Sequence, residues 1–293
     1  MVAIAALAGC QQSPAPSPKP LVLATFHPLS EFARQVGGNA VEVAVLVAPG
    51  VEPHHWEPAP ADIVRLQRAR VFVYNGAGLE PWVARLLGEV LPAETLAVRA
   101  TEGLPLATAD LPPLHGGLAP DPHVWLDPRL ATAQVERIGA ALAIANPSRA
   151  ADYAGNARRY AAELDTLHQA FEAGLARCAR RDFVVAHAAF GYLARRYRLT
   201  QVPVMGLAPG AEPTPAEMAR VVRFMRARNV THVFFEPLGS RKLAQTLARE
   251  AGVATLALNP LEGRTPDETA TGQSYVTLMH ANLANLRVGL GCR

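Results

Sequence analysis

The second half of the chain repeats the first half, and this repeat is the strongest constraint on the fold. Residues 21–36, LVLATFHPLSEFARQV, are echoed by residues 182–197, DFVVAHAAFGYLARRY. Residues 48–74, which begin APGVEP and end RVFVY, are echoed by residues 208–235, which begin APGAEP and end THVFF. An internal duplication of this length predicts two similar lobes built on one plan.

Each repeat alternates short apolar runs with helical patterns. In the first half, the runs at 21–26, 41–47 and 70–76 are typical of strands, and PLSEFARQV and PADIVRLQRA between them have helical spacing. Strands that alternate with helices indicate a parallel sheet. The sequence therefore predicts an α/β fold in which two similar α/β lobes each contain a parallel sheet.

A single long helical pattern separates the two repeats. In residues 148–180 the apolar side chains recur at steps of three and four, as one stripe of a helix. They are Tyr153, Ala157, Tyr160, Leu164, Leu167, Phe171, Leu175 and Cys178. A helix of this length is a rod of about 50 Å, a stiffer connector than a loop. We therefore expect an N-terminal lobe at 21–147, a connecting helix at 148–180 and a C-terminal lobe at 181–293.

Residues 1–20 have the composition of a targeting segment and a tether. The apolar start MVAIAALAG ends in small residues before Cys10, and the Pro/Ser-rich QQSPAPSPKP follows. This arrangement is typical of a secretory signal, and it resembles the lipobox of bacterial lipoproteins. The resemblance implies lipid attachment at Cys10 and a location outside the cytoplasm, in the periplasm or on the outer cell surface. The alternative is a buried N-terminal helix with an incidental cysteine.

An extracytoplasmic location would place Cys178 and Cys292 in an oxidising compartment. The two cysteines could then pair, but their separation in space cannot be read from the sequence. A disulfide and two buried free thiols both remain open.

The overall composition argues against a nucleic-acid-binding protein and against a membrane-spanning one. The net charge is only +3, and no run of Lys or Arg occurs, so we expect no nucleic-acid partner. No stretch of about 20 apolar residues occurs, so we predict no membrane-spanning helix in the mature chain. Half of the residues are apolar, which is typical of a globular protein with a buried core.

Three histidines share a context of loops and breaks, and two of them directly follow predicted strands, where a site is expected in such a fold. His54 follows the run at 41–47 in GVEPHHWEP, a proline-bracketed loop that carries extra residues relative to the second repeat. His187 ends the run DFVVAH, and His123 lies in DPHVWLDP. Ligands of open α/β sheets bind outside the carboxyl ends of strands, and imidazole suits zinc and other late first-row ions. The long, uneven spacing leaves a metal site, proton transfer and a structural role all open.

Four motifs in order give this pattern a family resemblance. PHHWEPAPADI, DPHVWLDP, AHAAFGYLARRY and FFEPLGSRKLAQTLAREAGVATLALNPLEG resemble motifs of the zinc/manganese solute-binding proteins of bacterial metal ABC transporters, the cluster A-I family. The resemblance covers roughly residues 20–288. It implies one metal ion in a cleft between the lobes, bound by His54, His123 and His187, with His55 as a neighbour. It also implies that the chain delivers the ion to a transporter permease.

The fourth ligand is where family members differ. The resemblance implies that zinc-binding relatives with the sequence NPLE use its glutamate, which corresponds to Glu262. Manganese-preferring relatives have an aspartate at the position of Asn259, and Glu236 or a water molecule are the other candidates. Three imidazoles and one carboxylate form a tetrahedral set that suits Zn²⁺, whereas Mn²⁺ prefers more oxygen ligands. We therefore expect Zn²⁺ with Glu262 as the fourth ligand, and Mn²⁺ as the alternative.

The sequence does not favour an enzyme. A zinc hydrolase needs an open coordination position and a general base, but HExxH and Gly-x-Ser-x-Gly motifs do not occur. A zinc hydrolase and a protein that binds a metal chelate, such as haem or a siderophore, are the less favoured alternatives. We expect a monomeric binding protein that contacts a transporter permease and, through its lipid, the membrane surface.

Overall fold

A computed structural model of the chain describes residues 19–108, 119–210 and 213–293. It contains two four-stranded parallel sheets, one from each half of the chain. The first sheet has the order β2-β1-β3-β4, and its strands are β1 Leu21–Ala24, β2 Glu42–Val45, β3 Val71–Tyr74 and β4 Leu96–Arg99. The second sheet has the order β6-β5-β7-β8, and its strands are β5 Asp182–Val185, β6 Thr200–Pro203, β7 His232–Phe235 and β8 Ala254–Ala257.

The two sheets share one topology, which confirms the predicted α/β class and the two-lobe plan. In each sheet the first strand along the chain lies between the second and the third, and the fourth strand is at the edge. Every pairing between neighbouring strands is parallel. All strands of a sheet therefore end at the same edge, where the loops that carry candidate ligands emerge.

Helices connect the strands of each sheet. In the N-terminal half they are α1 His27–Gly37, α2 Pro60–Arg68, α3 Val83–Glu89 and α4 Pro128–Ala145. The connector is α5 Ala150–Leu175, and the C-terminal half contains α6 Gly191–Arg196, α7 Pro215–Ala227, α8 Arg241–Ala251, α9 Pro266–Ala270 and α10 Tyr275–Leu290. Proline lies in the first turn of α1, α2, α4, α7 and α9, where no backbone donor is lost.

The connecting helix is shorter than the predicted segment 148–180. A 3-10 turn at Pro147–Arg149 precedes α5, and the helix ends at Leu175. The chain then pairs with its own C-terminal segment, because Cys178 forms a disulfide with Cys292 and Arg180 N–H donates to the Leu290 carbonyl. This pairing removes Cys178 from the helical stripe and decides between the disulfide and free-thiol alternatives.

One hydrophobic core is shared by both lobes. Helix α5 packs against α1 and α4 of the first half and against α10 of the second half. The buried side chains of its stripe join a cluster that contains Phe32 and Trp125 from one lobe and Phe183 and Phe190 from the other. Separation of the lobes would therefore expose core surface, which is unfavourable.

Polar contacts also connect the lobes next to the candidate site. Trp125 Nε1 donates to the Pro260 carbonyl at 2.7 Å, and Tyr192 Oη donates to the Asp121 carbonyl at 2.9 Å. The Arg196 guanidinium pairs with the Asp127 carboxylate at 2.8 Å. These contacts fix the position of one lobe against the other.

No helix among the described residues is long and apolar enough to cross a membrane. Cys10 and the rest of the predicted signal and tether, up to residue 18, lie outside the described residues.

Candidate metal centre

Four side chains from both lobes converge at the cleft where the two sheets face each other. The structure brings together His54, His123, His187 and Glu262, and one ligand atom from each lies within 4.8 Å of all the others. Glu262 Oε1 lies 3.1 Å from His123 Nε2, 3.2 Å from His187 Nε2 and 3.3 Å from His54 Nε2. A single carboxylate oxygen therefore faces three imidazole nitrogens.

His54 is presented by the proline-bracketed loop that follows β2. Gly50 begins this loop with φ +85°, a left-handed conformation that suits glycine. Glu52 Oε1 accepts the His54 backbone N–H at 2.8 Å, and Glu52 Oε2 lies 3.2 Å from His55 Nδ1. The His54 side chain is only 6% exposed, whereas that of His55 is 63% exposed. The loop thus directs one histidine into the cleft and its neighbour toward solvent.

His123 is held in place by the aspartate two residues before it. Asp121 Oδ1 accepts the His123 backbone N–H at 3.0 Å and lies 2.8 Å from His123 Nδ1. With Nδ1 as the donor, Nε2 presents its lone pair to the cleft, where it lies 3.2 Å from His54 Nε2. A carboxylate behind a metal-binding imidazole fixes its tautomer and makes it a better ligand.

His187 has an equivalent carboxylate from a different strand. It lies two residues beyond β5, and Glu236, which directly follows β7, places Oε1 2.7 Å from His187 Nδ1. The same oxygen accepts the His187 backbone N–H at 3.2 Å. The sequence offered Glu236 as an alternative fourth ligand, but in the structure it lies behind His187 and outside the group of four.

Glu262 lies in the loop after β8, whose backbone is fixed by amide side chains. Asn259 Oδ1 accepts the Leu261 N–H at 2.8 Å, and Asn259 Nδ2 donates to Glu268 at 2.9 Å. Asn282 in turn accepts the Asn259 backbone N–H at 2.7 Å. Asn259 therefore shapes the loop and is not part of the converging group.

Comparison with known proteins agrees with this geometry. The ZnuA family model, described as the periplasmic zinc-uptake complex component A, matches residues 22–289. The chain belongs to the ZnuA family. It is 36% identical over 277 residues to the high-affinity zinc uptake system protein ZnuA of Bacillus subtilis, with 92% of this chain and 87% of that protein covered.

A second relative is longer than this chain. The zinc-binding lipoprotein AdcA of Streptococcus pneumoniae is 34% identical over 296 residues, which cover 96% of this chain and 58% of AdcA. The chain therefore spans little more than half the length of that relative. The crystal structure of the Zn(II)-bound ZnuA-like domain of pneumococcal AdcA matches with a TM-score of 0.80 at 36% identity, and covers 93% of this chain and 99% of that domain.

The buried histidines and carboxylates of this site shift one another's pKa values. Burial lowers the pKa of His187, but the charges of Glu236 and Glu262 and the hydrogen bonds to both hold it well above its ordinary value. For His123, burial also lowers the pKa, but hydrogen bonds to Asp121 and Glu262 raise it overall. Burial raises the pKa of Glu262, yet the positive charge of His187 and hydrogen bonds from three histidines hold it well below its usual range.

The donor set and its surroundings suit a divalent cation. Three imidazole nitrogens and one carboxylate oxygen form the N₃O set that zinc prefers. With Zn²⁺ present, Asp121 and Glu236 behind the imidazoles bring the local charge from about +1 to about −1. A cavity of about 600 Å³, lined by His55 and Trp56 on one side and by Glu236 and Glu262 on the other, leads to the group.

The remaining described histidines do not contribute to the group. His27 is buried at the start of α1, and burial together with the charges of Arg264 and Arg34 lowers its pKa to about 3. His168 pairs with Glu172 and Tyr197. His27 is therefore a packing residue.

Proposed function

We propose that this chain binds one Zn²⁺ between its lobes and delivers it to the permease of an ABC transporter. The observation that carries the proposal is the convergence of four metal-ligating side chains on one point, with the lobes held around them. Relatives named for zinc uptake and zinc binding, and a Zn(II)-bound structure of the same fold, support zinc as the cargo.

The choice of zinc over manganese rests on the ligands of this chain. Manganese favours oxygen ligands, but three of the four converging groups are imidazoles. Asn259, at the position where manganese-preferring relatives place a carboxylate, turns its amide to Glu268 and to the Leu261 N–H. We therefore take Glu262 as the carboxylate that binds the ion.

The same geometry favours binding and transport over catalysis. A catalytic zinc site has three protein ligands and leaves the fourth position to water. Here a fourth protein group, Glu262, already faces the three histidines. The converging ligand atoms lie within 4.8 Å of one another, which suits a bare ion better than a bulky metal chelate.

The location of the chain completes the proposal. The family description places its members in the periplasm, and the pneumococcal relative is named a lipoprotein. We propose an extracytoplasmic protein with a lipid on Cys10, a tether up to residue 20, lobes at 21–147 and 181–293, and the connector between them.

The test of the cargo is elemental analysis followed by metal competition. Protein purified without a chelator should contain zinc at one ion per chain. In competition titrations, zinc should displace manganese from the wild type, and Glu262→Ala should weaken zinc binding less than His123→Ala, because water can take the vacated position. His280→Ala, which changes an exposed histidine of α10, is the control and should leave binding unchanged.

Three results would contradict the proposal. These are tighter binding of manganese than of zinc by the wild type, an unchanged zinc affinity in Glu262→Ala, or stoichiometric zinc at the original affinity in His123→Ala.

A further inference from the structure

Among the buried polar side chains of the N-terminal lobe, four belong to one hydrogen-bonded group that contains none of the candidate metal ligands. Thr25 follows β1, Asn75 follows β3, Glu80 lies five residues further on, and Gln134 lies in α4. Thr25, Asn75 and Gln134 have no exposed surface, and Glu80 is 7% exposed. Polar groups are costly to bury unless they are hydrogen-bonded. The hydrogen bonds of these side chains therefore indicate which parts of the lobe they hold in place.

Glu80 fixes the backbone at the point where the chain leaves β3. Its Oε1 accepts the Thr25 hydroxyl at 2.7 Å and the Asn75 N–H at 2.9 Å. Its Oε2 accepts the Gly76 N–H at 2.9 Å. Three donors on one buried carboxylate hold the Asn75 backbone in place against β1.

The Asn75 side chain then extends from this fixed backbone to the segment that carries His123. Asn75 Nδ2 donates to the Pro122 carbonyl at 2.9 Å, and Asn75 Oδ1 accepts from Gln134 Nε2 at 3.1 Å. The Gln134 contact determines which way the Asn75 amide faces. The amide therefore presents a donor to the residue directly before His123.

Both polar atoms of a single peptide group are held in this way. The group that joins Pro122 to His123 has its carbonyl bound by Asn75 and its N–H bound by Asp121 Oδ1 at 3.0 Å. Because a peptide group is planar, fixing both atoms fixes its plane. The plane in turn fixes the His123 N and Cα atoms from which the side chain leaves the backbone.

We propose that Asn75, held by Glu80 and Gln134, is a positioning residue for the metal centre. It acts through the Pro122–His123 peptide and keeps His123 Nε2 at the point where the other donors converge. This inference rests on the proposed function, because it requires His123 to be a zinc ligand. Loss of a group that orients a ligand typically lowers metal affinity by about 10- to 100-fold.

The experiment compares Asn75→Ala with a matched variant, Asn156→Ala. Asn156 lies in α5 and its Nδ2 donates to the Val36 carbonyl at 2.8 Å, so the same atoms and the same kind of bond are removed. Val36 is near the end of α1, away from the strand ends that carry the ligands. Zinc affinity is measured by competition with a chelator, geometry by the visible spectrum of the Co²⁺ form, and stability by thermal melting of the metal-free protein.

We expect Asn75→Ala to bind zinc at least about 10-fold more weakly than the wild type and to show a changed Co²⁺ spectrum. Asn156→Ala should melt at a lower temperature but keep the affinity and the spectrum of the wild type. If Asn75→Ala does not fold, Gln134→Leu replaces it, because this variant keeps the side-chain volume and frees the Asn75 amide. A weaker zinc affinity and a changed spectrum in Gln134→Leu support the proposal.

An Asn75→Ala protein with wild-type affinity and spectrum overturns the positioning role and leaves the proposed function intact. An equal loss of affinity in Asn156→Ala also overturns it, since general destabilisation then explains the effect. If Gln134→Leu is the variant used, unchanged affinity overturns the proposal. A wild-type chain that binds no zinc overturns both this inference and the proposed function.

Discussion

His54 and His55 are adjacent in the sequence but have opposite surroundings. The His54 ring faces Glu262 and the other two histidines, whereas the His55 ring is exposed beside Glu52. We predict that His54→Ala weakens zinc binding by more than about 100-fold, beyond the usual effect of losing a supporting residue. His55→Ala should stay within about threefold of the wild type, since its ring is no ligand. Isothermal titration with a competing chelator measures both, and equal losses in the two variants would contradict the assignment.

The pH dependence of zinc binding follows from the raised pKa values of His123 and His187. Zinc requires neutral imidazoles, and both residues keep their protons to higher pH than an ordinary histidine. Zinc affinity should therefore fall as pH decreases, and the fall should begin above the ordinary histidine pKa of about 6.5. The lowered pKa of Glu262 keeps this carboxylate charged across the same range.

The stability of the metal-free protein should fall as pH rises, whereas zinc affinity rises with pH. A raised pKa in the folded state contributes stability below about pH 6.5, and this contribution is lost as pH rises through the folded pKa. The increase in melting temperature on zinc addition should therefore grow between about pH 5.5 and about pH 8.5. Melting curves with and without zinc test this, and a zinc effect that is constant over the range would count against it.

The sequence predicts the four converging side chains better than the groups that support them. His54, His187 and Glu262 lie in loops that follow strands, His123 lies in the segment before α4, and the fold brings the four side chains together. Their role as zinc ligands stays a prediction. Glu236 reaches His187 from a strand 49 residues away, so only the folded structure reveals that contact. Asp121 and Glu52, each two residues before a converging histidine, are supporting residues that local spacing indicates.

At the scale of secondary structure, the sequence predicts β1, β3 and β5 and also the edge strand β2, but not the edge strands β4 and β8. Strands β1, β3 and β5 are buried and appear as apolar runs. The edge strands β4 and β8 are four residues long and largely half-buried or exposed, so they have no continuous apolar pattern. The disulfide that follows α5 was likewise beyond prediction, because it depends on where the C-terminus packs.

The Cys178–Cys292 bond connects the segment after α5 to the C-terminal segment across 114 residues of chain. A crosslink over so long a loop restricts the unfolded chain strongly. We expect the double variant Cys178→Ser/Cys292→Ser to lose about 2–5 kcal/mol of unfolding free energy. Zinc affinity should not change, since Cys178 precedes β5 whereas His187 follows the opposite end of that strand. Denaturant titration measures the loss, and a wild-type denaturation midpoint in the double variant would contradict the prediction.

For the whole molecule, the shared core determines how the lobes respond to metal. Hinge motion between domains needs an interface that opens at low cost. Here the buried stripe of α5 packs against both halves of the chain, and Trp125 and Tyr192 add hydrogen bonds across the cleft. The loop that carries His54 lies outside any regular element, so a local change there costs less than separation of the lobes. Metal release should therefore change this loop and leave the lobes in place.

Small-angle scattering of the metal-free and zinc-loaded protein tests this expectation. A compact chain of this length has a radius of gyration of about 19 Å, and we predict that zinc changes it by less than about 0.5 Å. Leu167→Ala, which opens a cavity in the α5 stripe, is a useful second variant. If the shared core is what holds the lobes, this variant should show a larger difference between its two forms than the wild type does. A change of several ångströms in the wild type would show that the lobes rotate about the connector, and that α5 does not act as a rigid strut.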